Sequence, residues 1–228
     1  MVSYDISKVW LFLPTLVQAL PATLALMVLT TLLGSAFGLV LTWAQVSEEK
    51  VGAGLAKGYV FTLRCTPPIV LLFLVFYGLP QFLNWWLGID IDHWSKFVFV
   101  LVAMFLLFAA MISEVFKAAY LAIPKGQMEA GFSLGLRYRT IMREIILPQA
   151  IRNILPALGN EFITLLKETS VGAYIGIIEL TKASDIIASR TYDYFFPLII
   201  IAIIYLIMTL GLSKLVNVME RRLNRVRS

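Results

Sequence analysis

Between residues 153 and 168, Asn153, Asn160, Glu161, Thr164, Lys167 and Glu168 recur inside an otherwise apolar stretch. Turned at about 100° per residue, they and Ala157 fall within an arc of about 120°. Ile154, Phe162, Ile163 and Leu166 take the other side. Carboxylates accept hydrogen bonds from a cation, whereas an amide, a hydroxyl or a lysine donates to an anion; one face thus holds partners for both signs of charge. The same groups serve equally as pairs, Glu161 with Lys167 or Glu168, that tie a helix bundle or the seam of a dimer. Other chemistries lack their reagents. The chain has one histidine, His93, and one cysteine, Cys65. Metal-ligand spacing, an intrachain disulfide and a Ser-His-Asp or Cys-His constellation are therefore out of reach, and no glycine-rich nucleotide loop with its lysine occurs. His93 reads as a solvated loop residue, and no covalent chemistry is expected.

A polar face of this kind needs an unusual setting. The 228 residues are 60% hydrophobic and 14% charged, against about 25% charged in soluble domains, and mean hydropathy is +0.85. That is more apolar surface than one soluble domain of this length buries, so the expected solvent is a bilayer. The net charge of +5 does not indicate nucleic acid, because the basic residues sit between apolar blocks rather than on one solvated face. The first apolar block lacks the basic flank and small-residue cleavage site of a signal peptide and is expected to be retained.

Crossing a core of about 30 Å takes about 20 apolar residues. Five stretches qualify: 23–43, 66–83, 97–120, 145–169 and 194–215. Pro14 and Pro21 are expected to break an interfacial lead-in before the first; Pro67 and Pro68 stand at the entry of the second, where a missing N–H costs least. The fold expected is an all-α integral membrane protein, one domain over residues 1–228 with five transmembrane helices. Sorting basic residues into alternate compartments puts Lys50, Lys57, Arg64, Lys125, Arg137, Arg139, Arg143, Arg152, Lys214, Arg221, Arg222, Arg225 and Arg227 on one side. Lys8, Lys96, Lys167, Lys182 and Arg190 fall on the other. The positive-inside rule then sets the N-terminus outside and the C-terminus in the cytoplasm. Trp85, Trp86 and Trp94, around Asp90, Asp92 and His93, suit an outer loop at headgroup level. Glu161 lies nine residues beyond Arg152, about 13 Å into the membrane. Glu114 and Lys117, three apart near the inner end of the third span, are expected to pair. Residues 169–193 are expected to form short surface helices on the outer side.

One inner segment fits no span. After Pro124, residues 127–134 read as a short helix closed by Gly135 in a left-handed position. Met128, Phe132 and Leu134 are its apolar members, with no core in view for them to join. Two turns of helix do not hold in water alone, so they require a lipid surface or a protein partner.

Here the sequence resembles a known family. EAGFSLGLRYRTIMREIILPQA is similar to the cytoplasmic E-A-A-x-x-x-G-(x9)-I-x-L-P signature of ABC importer permeases, with Glu129, Ala130, Gly135, Ile145, Leu147 and Pro148 in register. Gly131 stands where a second alanine is usual and is expected to loosen the helix. Flanking text (SEVFKAAYLAIPKGQMEA, ILPQAIRNILPALGNEFITLLKETS and RCTPPIVLLFLVFYGLP) resembles the polar amino acid uptake subfamily, the histidine, glutamine and arginine type, over residues 59–222; Cys65 occupies a position where glycine is common. The resemblance implies the type I ABC importer permease fold and a multi-pass place in a bacterial cytoplasmic membrane. It implies a coupling loop, residues 124–144, whose Gln127, Met128, Glu129, Ala130, Gly131, Phe132, Gly135 and Leu136 dock into a separate ATPase subunit, with Arg137, Arg139 and Arg143 holding the connector at the anionic inner surface. ATP and Mg would bind that ATPase pair, with no cofactor on this chain. An extracellular or periplasmic amino-acid-binding protein and a second permease chain, identical or not, complete the assembly. Asn160, Glu161, Thr164, Lys167 and Glu168 are the substrate-path candidates. A self-sufficient secondary transporter or channel is the competing reading; the small number of spans and the absence of an inverted repeat stand against it.

Overall fold

The computed structural model describes residues 7–224, which are helical almost throughout, with no strand among the described residues. Arg225 and Arg227, counted above toward the inner side, lie outside them, as do residues 1–6. The first element, α1 (Ser7–Val46), runs 40 residues with Pro14 and Pro21 inside it. The expected break does not occur. Each proline removes one N–H, but an unwound turn in hydrocarbon would strand several amides and carbonyls, so continuing the helix is the lower-energy course. Next comes α2 (Lys50–Cys65), hidden from a hydropathy scan by Lys50, Lys57 and Arg64. Its buried Ala53, Ala56 and Val60 nevertheless keep helical spacing.

Pro67 and Pro68 open a rod, Pro68–Leu87, assembled from α3 (Pro68–Phe73), a π turn (Leu74–Gly78) and α4 (Leu79–Leu87). It stops at Gly88, whose φ of 66° is left-handed, past the expected end at residue 83. Trp85 and Trp86 therefore belong to its last turn and only Trp94 to the loop. The most enclosed helix is α5 (Lys96–Leu121), which buries Phe99, Val100, Leu107, Phe108 and Ile112. Along it lies α1, where Gly34 and Gly38 admit the side chains of Phe108 and Ile112; a Cβ on Gly34 would stand 2.7 Å from Phe108 Cδ1. Small residues four apart bring membrane helices into such contact.

The chain continues through α6 (Lys125–Ser133), α7 (Tyr138–Thr140), a π turn (Ile141–Ile146), α8 (Leu147–Glu168), a 3-10 turn (Thr169–Ile175), α9 (Leu180–Thr191) and α10 (Phe195–Asn224). Among the described residues, four helices are long and apolar enough to cross a membrane: Lys8–Val46, Pro68–Leu87, Lys96–Leu121 and Phe195–Arg222. With 22 residues α8 has the length, but its polar and charged groups keep it out of that set.

More than a surface helix, α9 buries Leu180, Ala183 and Ile187 against Phe12 and Leu16 of α1 and Phe196 and Ile200 of α10. Its first N–H groups are all satisfied. That of Leu180 donates to Thr23 Oγ1 at 3.2 Å, and those of Thr181 and Lys182 donate to the Glu179 carboxylate at 2.9 and 2.8 Å. Burial holds the Glu179 carboxyl above its ordinary value, and the hydrogen bonds from these two N–H groups offset only part of that rise.

A second tie joins Lys8 Nζ to Asp193 Oδ2 at 2.7 Å, with the ammonium 5.6 Å from the Phe196 ring centre. The hydrogen bond from Lys8 is the main influence holding the Asp193 carboxyl below its ordinary value. A carboxyl lowered by folding lends its stabilisation above the unfolded-state value of about 3.9 and loses it as pH falls through the folded one. The protection of the amides at the start of α1, taken relative to their intrinsic exchange rate at each pH, is therefore expected to stay constant from neutral pH down to the ordinary carboxylate range and to fall below it. Asp193→Asn is expected to exchange fast already at neutral pH, with that acid step gone.

Candidate functional site

The short helix α6 has a core after all. Ile123, Ile141, Ile146 and Ala150 form a buried cluster joined by Tyr120, Met128, Leu136 and Ile145. Met128, expected to be exposed, is drawn into it. Two amides clamp the helix to α8: Gln127 Nε2 donates to Gln149 Oε1 at 3.0 Å, and Gln149 Nε2 donates to Gln127 Oε1 at 2.6 Å. The expected left-handed stop is Gly135, φ 75°. What remains outward is Glu129 and Ala130 with Phe132, 51% exposed, and Leu134, 79% exposed. The eight residues expected to couple thus divide. Gln127, Met128, Gly131 and Leu136 face their own chain, Glu129, Ala130 and Phe132 face out, and Gly135 makes the turn. Arg137, Arg139 and Arg143 are exposed on the connector.

Gly131 does not loosen the helix. It is buried, and Ile141, fully buried, fills the space a methyl would take: a Cβ there would lie 2.7 Å from Ile141 Cδ1 and 2.8 Å from Cγ1. Gly131→Ala is therefore expected to destabilise the loop by about 1–3 kcal/mol through overpacking. Adding Ile141→Val, which removes Cδ1 but leaves the Cγ1 contact at 2.8 Å, is expected to recover only part of the loss in a thermal unfolding series.

A cavity of about 600 Å³ opens between α2, α5 and α8. Arg64 contributes from α2; Met111, Glu114, Val115, Ala118, Ala119 and Ala122 from α5 and its cap; Asn153, Ala157 and Glu161 from α8. The expected pair is present, with Lys117 Nζ donating to Glu114 Oε1 at 3.0 Å, but within a larger network. Lys117 also donates to Gln45 Oε1 of α1 at 2.9 Å, and Arg64 Nη1 lies 3.8 Å from Glu114 Oε2. Gln45 Nε2 donates to Ser113 Oγ at 3.4 Å. Neither Arg64 nor Gln45 stood out in the sequence; the one available signal was a charge beside the Pro67–Pro68 helix start. The Glu161 carboxylate, by contrast, has no hydrogen bond or ion pair among the described residues.

The polar arc of α8 is real, yet its members do not meet in one place. Glu161 and Asn153 line the cavity. Asn160 lines a separate groove of about 310 Å³ with Ser213, Asn217 and Glu220 of α10. Glu168 edges a narrow cleft beside Pro68, Leu72 and Val100. Thr164 and Lys167 are exposed. Periodicity sets an angle about the helix axis; the neighbours, α2 and α5 on one flank and α10 on the other, decide what each angle meets.

This arrangement has counterparts. A family model described as "Binding-protein-dependent transport system inner membrane component" matches residues 34–225. The chain is 36% identical over 211 residues to the arginine transport system permease protein ArtQ of Bacillus subtilis strain 168, covering 92% of this chain and 93% of that one. It is 34% identical to the L-cystine transport system permease protein TcyB of the same organism, over 94% and 88% of the two chains. To the putative glutamine transport system permease protein GlnP of Rickettsia typhi it is 31% identical, over 91% and 92%. Among solved structures, a chain of an amino acid ABC transporter crystallised with histidines superposes with TM-score 0.87 at 40% identity, covering 97% of this chain and all of that one. A chain of the inward-facing MetNI methionine ABC transporter, 19% identical, shares the fold alone, with TM-score 0.68 over 96% and 99%.

Proposed function

Because the chain belongs to the family of binding-protein-dependent transport system inner membrane components, we propose that its outward-facing α6 tip takes up the motion of an ATPase and passes it to the cavity beside Glu161. The chain is the membrane permease component of an amino acid ABC importer, set in the cytoplasmic membrane with the type I permease fold. In the proposed arrangement α8 is the fifth span, the N-terminus lies outside and the C-terminus inside, and residues 124–144 face the cytoplasm. A pair of ATPase subunits carrying ATP and Mg receives α6; an amino-acid-binding protein delivers solute on the outer side, and a second permease chain completes the path. No cofactor is assigned to this chain.

The observation that carries the proposal is continuity. The last turns of α5 line the cavity with Glu114, Ala118 and Ala122, and the same helix leads through Pro124 into α6, which the Gln127–Gln149 amide pair fastens to α8. Movement of α6 would therefore shift the α5 and α8 walls of the cavity relative to Arg64 on α2, as opening one side while closing the other requires. Glu161, still unspent, is the group proposed to accept the amino acid's ammonium, with Arg64 offering N–H groups to its carboxylate. The test is reconstitution with the ATPase and binding protein in vesicles. Accumulation that requires ATP hydrolysis supports the proposal; accumulation without nucleotide would instead support a secondary transporter.

A further inference from the structure

One half-buried acid has no part in the proposed function. Glu168, at the end of α8, has no hydrogen bond or ion pair among the described residues. Its neighbour Lys167 is set about 100° away around the helix and is exposed. The cleft at Glu168 is walled by Pro68, Leu72, Met104, Leu107 and Val171, and no second polar residue lines it. This cleft continues the cavity. Along α2 and α3 the wall passes from Arg64 to Pro68 and Leu72, along α5 from Met111 to Leu107 and Met104, and along α8 from Glu161 to Glu168. In the proposed orientation every one of these steps leads outward. Glu161 and Glu168 share one face, seven residues or about 10.5 Å apart, and are within electrostatic reach of each other.

We propose that the cargo is an amino acid with a long cationic side chain, of the lysine and arginine kind, and that Glu168 receives its terminal cation. This rests on the cavity at Glu161 being the cargo path and names the class of cargo that passes. Within the cavity the charges balance: Glu114 has Lys117 at 3.0 Å, while Arg64 and Glu161 face the carboxylate and the ammonium of the amino acid. Glu168 is then one negative charge in excess of what a cargo without side-chain charge can meet. A carboxylate withdrawn from water is costly until a cation pairs with it. The lining of the cleft fits the rest of such a cargo, because an aliphatic stem lies on apolar surface while its charged head seeks a polar partner. A chain of that length bridges the two carboxylates with charge-assisted hydrogen bonds of about 2.8 Å at both ends. An acidic cargo is repelled at Glu168, and a short neutral one leaves that carboxylate unpaired. The cleft is narrow, about 10 Å³, so the stem enters as α5 and α8 draw away from α2 and α3, the relative movement already proposed for the cavity.

The experiment uses the permease assembled with its ATPase but without the binding protein, so that the selectivity measured is that of the membrane part. Binding of radiolabelled lysine, arginine and norleucine is followed by equilibrium dialysis; norleucine has lysine's stem without the ammonium. Lysine and arginine are expected to bind about ten- to a hundredfold tighter than norleucine, the range for a hydrogen bond to a charged group. Glu168→Gln, close in shape, is expected to weaken lysine by that factor and to leave norleucine bound, which also shows that the variant folds. Glu161→Gln is expected to weaken both alike. Equal affinities for lysine and norleucine, no lysine binding, or a lysine preference that survives Glu168→Gln would overturn the proposal. So would loss of both ligands in Glu168→Gln, since Glu168 would then be structural. Should the proposal fail in one of these ways while Glu161→Gln still weakens whatever binds, the cargo path stands with a different class of cargo. Binding untouched by Glu161→Gln would reject the path itself and the cargo assignment with it.

Discussion

A chain carrying Glu129→Lys and Phe132→Ala is expected to reach the membrane folded and to lose ATP-driven uptake by about a hundredfold or more. The two residues lie on the outward half of α6 and contribute nothing to the Ile123–Ile141–Ile146 cluster that holds the helix. Truncating an aromatic anchor in a protein interface commonly costs about 2–4 kcal/mol, each 1.4 kcal/mol being a factor of about ten. Reversing a charge opposite a socket fitted to it adds to that loss. Gln127→Ala serves as the contrasting variant. It breaks the amide pair to Gln149, so its effect should show first as a lower unfolding temperature and only then in transport. If the outward pair also lowered the unfolding temperature while sparing uptake, the division of α6 into an anchored and a presented half would fail.

The second large effect is expected at Glu161. Glu161→Gln keeps the shape, removes the unspent charge and is expected to cut the maximal uptake rate about ten- to a hundredfold, the range for a hydrogen bond to a charged group. Assembly with the ATPase should be unchanged, because among the described residues no hydrogen bond or ion pair ends on that carboxylate. Glu114→Gln should behave in the opposite way. Glu114 is the counter-ion of Lys117 and the nearest acid to Arg64, and removing it leaves two half-screened cations facing each other. Lower yield and thermal stability are expected there before any change in substrate affinity. Unchanged uptake with reduced assembly for Glu161→Gln would place Glu161 among the structural ion pairs instead.

Much of this was legible in residue order. Charge-free runs located α5 and α10 to within a residue or two at their starts, and Gly135 marked the end of α6 because few other residues tolerate its positive φ. Where sequence reasoning failed, a neighbour decided. Pro14 and Pro21 were expected to break α1, but the surroundings offer unwound backbone no partners. Met128 looked like a surface residue because its partners Ile123 and Ile141 come from either side of the loop. Gly131 looked like a weakness because Ile141, ten residues on, fills its place. The arc of α8 was predicted as one face and proves to be divided between a cavity, a groove and an open side, since angle about an axis carries no information on which helix stands opposite.

A photoreactive amino acid in place of Phe132 reads directly where the outward half of α6 sits in the working complex. Irradiated in membranes with all subunits present, it is expected to join the permease to the ATPase subunit, with the adduct increasing or decreasing as nucleotide is bound or hydrolysed. Adducts to lipid alone, unaltered by nucleotide, would contradict it.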